Sequence, residues 1–110
     1  MRRVLYPGLA SHPDHGLARE LLDTPGGMVT FEIQGDQPAA EAFVNRLALC
    51  RCAASLGGVE TLISLPVLSS HHSLPEAQLA AAGVTRGMVR ISVGLEEAAD
   101  VVADLAQAFG

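Results

Sequence analysis

Gly87-Met88-Val89-Arg90-Ile91-Ser92-Val93-Gly94 alternates apolar and polar side chains between two glycines. A period of two belongs to a strand, and it sends Val89, Ile91 and Val93 to one face and Arg90 and Ser92 to the other. One face must therefore be covered and the other polar. An arginine in the middle of an apolar strand is costly unless an anion meets it or its face is wet. Its planar fork suits a carboxylate or phosphate held by two parallel hydrogen bonds. A neighbouring acid on the sheet surface would satisfy it as well.

Working outward, the stretch after Gly94 predicts a last helix with Leu95, Ala98, Ala99, Val102, Leu105, Ala106 and Phe109 on one stripe and Asp100, Asp104 and Gln107 outside it. Upstream, Ser73-Leu74-Pro75-Glu76 has the form of a capping box, opening a short helix that ends at Gly83. Before it, Pro66 to Ser73 reads as a polar loop, and Cys52–Leu56 and Val59–Leu65 as short strands broken by Gly57-Gly58. Met28 to Gln34 alternates, with Val29, Phe31 and Ile33 on the core side. Asp36, with Pro38 in the first turn, opens a helix through about Leu49 whose stripe is Ala40, Phe43, Val44 and Leu47. Ser11 to Asp23 predicts the first helix, with Leu17, Ala18, Leu21 and Leu22 on one face. The expected class is α+β: three short strands in antiparallel contact, helices on one face, one domain over residues 1–110.

Composition narrows the chemistry. Apolar residues make up 49% and charged residues 17% of the 110, a folding, globular balance. The net charge is −5, all the basic residues are arginine, and lysine is absent, so no mechanism can use a lysine of this chain. An acidic chain with 4% aromatics and no tryptophan lacks the material for nucleic-acid binding. Only Val4, Leu5 and Tyr6 are apolar between Arg3 and Pro7, too few for a signal peptide, and no stretch approaches a membrane span. Cys50 and Cys52 stand two apart, where a disulfide would be strained. They read as buried thiols of a reducing compartment, with a cytoplasmic location and no metal site expected. Ser55 precedes Gly57-Gly58 but lacks the Gly-x-Ser-x-Gly frame of a nucleophile elbow. Ser69, Ser70, His71 and His72 invite a hydrolase reading, yet no acid is placed to orient an imidazole.

Four segments follow one another in an order seen in one family: Tyr6-Pro7-Gly8-Leu9-Ala10-Ser11-His12-Pro13-Asp14-His15, Gly26-Gly27-Met28-Val29-Thr30-Phe31-Glu32, Ser55-Leu56-Gly57-Gly58-Val59-Glu60-Thr61-Leu62, and Gly87 to Glu96. Across essentially the whole chain the sequence resembles the C-terminal small domain of the Cys/Met-metabolism pyridoxal-phosphate enzymes, the cystathionine γ-synthase and γ-lyase group. The resemblance implies a small antiparallel sheet with helices on one side, within an aminotransferase type I fold. Arg90 matches the arginine that grips the substrate α-carboxylate in that family. Ser55 matches the serine beside it, and Ser70, followed by His71, matches a loop threonine with the hydroxyl kept. Ala54 stands where members that handle cystathionine often carry an acid, and Leu65 to Ser70 departs from the usual loop.

The cofactor implied is pyridoxal 5'-phosphate, carried by a large domain in cis or in trans. No catalytic or cofactor-binding residue is expected in this chain. The resemblance further implies β- or γ-elimination, or γ-replacement, on sulfur amino acids or activated homoserine esters, an amino-acid substrate held by its α-carboxylate, and a homo-oligomer. The chain alone is expected to be inactive. A different class of reading, a stand-alone interaction or oligomerisation module derived from such a domain, fits the same residues.

Overall fold

The computed structural model describes residues 3–53, 57–68 and 75–109. Along them run β1 (Arg3–Leu5), α1 (His15–Leu21), β2 (Met28–Glu32), α2 (Asp36–Asn45), β3 (Arg51–Cys52) and β4 (Leu62–Ser64). A 3-10 turn at Pro66–Leu68, α3 (Glu76–Ala81), β5 (Met88–Ser92) and α4 (Ala98–Phe109) complete the order. The strands form one sheet in the order β1-β2-β5-β4-β3. The stretch that alternates most regularly is the central strand. It runs antiparallel to β2 through Thr30↔Arg90 and Phe31↔Val89, and antiparallel to β4 through Ile63↔Ile91 and Ser64↔Arg90.

The period of two is realised as burial. Val89, Ile91, Phe31 and Ile63 join Ala40 and Phe43 of α2 and Ala108 of α4 in one core on one face of the sheet. Phe43 meets Phe31 edge-on at 5.6 Å between ring centroids and lies 4.5 Å from Phe109, spacings that add to simple area burial. Gly87 permits the close approach that starts β5. Its carbonyl accepts the Ile33 N–H at 2.9 Å, and a Cβ there would stand 2.5 Å from the Ile33 carbonyl oxygen.

The α+β class holds, with a small sheet backed by helices, but several local expectations change. The sheet has five strands among the described residues, against three expected in antiparallel contact, and β1 alone falls outside every stretch read as a strand. The added edge strand, β1, is held by pairing Arg3↔Glu32 and Val4↔Phe31 and by an Arg3–Glu32 ion pair at 3.6 Å, contacts that three residues cannot announce alone. The β3–β4 pair is parallel, so Gly57-Gly58 does not turn a hairpin. The described part of the crossover between them, residues 57–61, runs beside Ser92 instead.

Helix α1 is shorter than expected and buries nothing: Leu17, Leu21 and Leu22 are exposed, because no element packs over that stripe among the described residues. Val93 lies beyond the end of β5 and is partly exposed, and Leu95 precedes α4 and is exposed. Asp104, expected outside the α4 stripe, is buried, because three backbone N–H groups meet it. Of the two thiols expected to be buried, Cys50 is, and Cys52 on the edge strand β3 is exposed. The capping serine, Ser73, lies outside the described residues, and α3 begins behind Pro75.

Candidate functional site

Arg90 sits at the middle of β5, half-buried, on the face opposite Val89 and Ile91. Its cross-strand neighbours are Thr30 on β2 and Ser64 on β4, so a row of hydroxyls flanks the guanidinium base on both sides. Side chains opposite one another in such pairs have Cβ atoms about 5 Å apart. Glu32 shares this face one register step along, opposite Met88, and pairs with Arg3. The face is therefore polar at its centre and apolar on its reverse, which lets a charged side chain occupy a central strand without entering the core.

Two residues further along the same face, Ser92 is buried, with the 57–61 part of the crossover against it. Its Oγ accepts the Gly57 N–H at 2.9 Å. Gly57 and Gly58 line, with Gly27, Met28, Ser92 and Val93, a cleft of about 220 Å³. The chain is held on either side of residues 54–56, which lie outside the described residues. Ala53 N–H donates to Ile63 O at 2.9 Å in the parallel ladder. At the other end Thr61, 1% exposed, donates its N–H to both carboxylate oxygens of Glu96 at 3.0 and 3.1 Å, and its hydroxyl to Oε1 at 2.7 Å. The same hydroxyl accepts the Gly94 N–H at 3.0 Å. The hydroxyl and backbone N–H of Thr61 hold the Glu96 carboxyl below its ordinary range.

Of the residues singled out from the sequence, Arg90 stands on the polar face as its periodicity requires. Ser55 and Ser70, with His71 and His72, lie outside the described residues. Thr30, Ser64, Ser92, Thr61 and Glu96 carry no motif that marks them as functional. Register opposite Arg90 brings Thr30 and Ser64 into view, a shared face brings Ser92, and their mutual hydrogen bonds bring Thr61 and Glu96. A further cleft, about 410 Å³, lies elsewhere, between α1 and the 22–25 turn, where Arg19 and Asp23 bring opposite charges. Among the described residues no group of three or more His, Cys, Asp or Glu side chains could hold a metal, and no helix is long and apolar enough to cross a membrane.

Comparison with known proteins places this geometry. An L-methionine gamma-lyase of Fusobacterium nucleatum subsp. polymorphum is 44% identical over 97% of this chain and 27% of its own length. A cystathionine gamma-lyase of Dictyostelium discoideum is 41% identical over 99% of this chain and 28% of its own length. The crystal structure of cystathionine gamma synthase from Xanthomonas oryzae pv. oryzae in complex with cystathionine superposes with a TM-score of 0.91 at 41% identity, over 97% of this chain and 28% of that one. The chain thus spans little more than a quarter of the length of these relatives. The profile of the Cys/Met metabolism PLP-dependent enzymes matches residues 1–110, and the chain belongs to that family.

Proposed function

We propose that this chain is the C-terminal, substrate-carboxylate-binding small domain of a pyridoxal-phosphate-dependent enzyme of sulfur-amino-acid metabolism. The enzyme would carry out β- or γ-elimination or γ-replacement on a sulfur amino acid or an activated homoserine ester. The observation that carries this reading is Arg90: a guanidinium half-buried at the centre of the central strand, with Thr30 and Ser64 beside it and the core on the reverse face. Such a group offers two parallel N–H donors at a fixed place, which suits a planar carboxylate better than a flexible ammonium would. Thr30 and Ser64 set hydroxyl-bearing residues on the strands to either side. Ser55 and Ser70 are proposed to complete the polar surroundings.

The family's cofactor is pyridoxal phosphate. The residues of this chain do not fit its covalent attachment, because none of the 110 is a lysine. The chain's share is the substrate side: binding and orienting the α-carboxylate. The cofactor-bearing domain is supplied in cis or in trans, and the same reading places the assembly in the cytoplasm as a homo-oligomer.

The test is made in the holoenzyme containing this chain, or with this chain grafted in place of the matching segment of the Fusobacterium relative. Arg90→Ala should lower the specificity constant by about 30- to 1000-fold, the equivalent of roughly 2–4 kcal/mol for a charge-assisted bidentate pair. Arg90→Lys should lose nearly as much, since it keeps the charge and loses the fork. The loss should be large for substrates with a free α-carboxylate and small for their amides. A sharp fall in melting temperature with turnover intact would instead make Arg90 a structural partner of a neighbouring acid.

A further inference from the structure

We propose that Glu96, acting through Thr61, and Ser92 are positioning residues for the carboxylate pocket at Arg90: together they pin the 57–61 part of the crossover onto the polar face of β5. The inference rests on the role of Arg90 proposed above.

The clamp has two jaws. At one, Thr61 uses its backbone N–H and its hydroxyl proton on Glu96 while its hydroxyl oxygen takes the Gly94 N–H. Every polar group of the Thr61 side chain is committed, so the side chain cannot rotate without breaking two bonds at once. Backbone shape closes the same jaw. Leu95 N–H donates to Val59 O at 2.8 Å, and a Cβ on Gly94 would stand 2.3 Å from that oxygen, so only glycine lets the crossover lie this close. At the other jaw the Ser92 hydroxyl takes the Gly57 N–H.

Ser92 and Arg90 are alternate residues of one strand on one face, about 7 Å apart. The 57–61 segment pinned at Ser92 therefore borders the Arg90 position along that face, as the wall of the proposed site. At Gly57 and Gly58 this wall has no side chains, so its position depends on the clamp rather than on packing. None of the clamp residues belongs to the hydrophobic core on the reverse face. A displacement of about 1 Å in a wall that orients a substrate can cost up to 100-fold in rate or binding.

The experiment uses Ser92→Ala, Thr61→Val and Thr61→Ser beside Arg90→Ala. In the holoenzyme, Ser92→Ala and Thr61→Val should raise KM for an α-carboxylate substrate roughly tenfold and change kcat by less than about threefold, a displaced-wall effect. Thr61→Ser, which keeps the hydroxyl, should bring KM back toward the starting value. In the same holoenzyme, amide hydrogen exchange should speed up at Gly57 in Ser92→Ala, and at Thr61 and Gly94 in Thr61→Val. Exchange at Val89 to Ile91 should hold in both variants. Unchanged KM in Ser92→Ala and Thr61→Val, with KM raised in Arg90→Ala, overturns the clamp and leaves the carboxylate site standing. Unchanged KM in Arg90→Ala removes both. Faster exchange throughout β5 would mark the clamp as a general stabiliser and overturn the positioning role.

Discussion

Asp104 does at one residue what a helix cap does at an element's end. Its carboxylate accepts the N–H groups of Ala48, Leu49 and Cys50, each at 2.8 Å, in the stretch where the chain leaves α2 and has no helical partners left. Burial raises the pKa of this carboxyl, but those three amides and the Gln107 side chain outweigh it and bring it from 3.8 down to about 2. A depressed folded-state pKa stabilises the fold above the unfolded value and is lost as pH falls through the folded one. Melting temperature should therefore be insensitive to this group above about pH 4 and should decline between pH 4 and 2. Asp104→Asn should cost about 1–3 kcal/mol near neutral pH, because it leaves amides without an acceptor. It should also flatten the acid decline, with a residual slope from Glu96, whose pKa is lowered too. Melting curves of both proteins across that range check it.

The neighbouring thiol follows from the same carboxylate. Burial first, then the hydrogen bond and charge of Asp104, push Cys50 up to about 12. Iodoacetamide should modify Cys52 alone in the folded chain and both thiols in denaturant, as mass spectrometry would show. Neither feature is legible in the sequence. Asp104 stands outside an apolar stripe as a solvent-facing acid would, and its partners lie 54 to 56 residues away. Arg90 is legible because its own strand fixes its face.

At the scale of elements, those with several turns or several alternations were readable: β2, β5, α2 and α4 all lie within the stretches their periodicity marks. The three-residue β1 was not, since it exists through its partner's register rather than its own pattern, and β3 meets the expected Cys52–Leu56 strand at Cys52, with residues 54–56 outside the described residues. The parallel β3–β4 pair is the clearest case. A Gly-Gly between two apolar runs reads as a hairpin, and the acceptors that draw it across the sheet instead, Ser92 and Glu96, come more than thirty residues later. Helix α1 fails for the opposite reason: its stripe is real, but nothing among the described residues covers it. Leu21, 72% exposed, loses little contact when replaced. Leu21→Glu should leave the unfolding free energy of the isolated chain within about 0.5 kcal/mol, measured by denaturant titration.

Across the whole molecule, the sheet is incomplete without its central strand. Strand β1 pairs with β2 and β3 with β4, but the two pairs meet only through β5. Beside them, α4 closes an apolar hollow of about 330 Å³ against Val4, Val29, Phe31 and Ile91. Both closing elements come from the final quarter of the chain. A nascent polypeptide synthesised as far as Gly87 thus holds two strand pairs with no hydrogen-bonded path between them, and the core sides of Phe31 and Ile63 still unjoined. The strand that unites them must close a loop of more than fifty residues back to β2, from Met88 to Glu32, before it gains that ladder. Assembly of the sheet then waits on β5. It is governed by long-range contact order and is slow for a chain of this size, in the range of milliseconds to seconds. Loss of everything from Met88 onward removes the fold outright rather than trimming its edge.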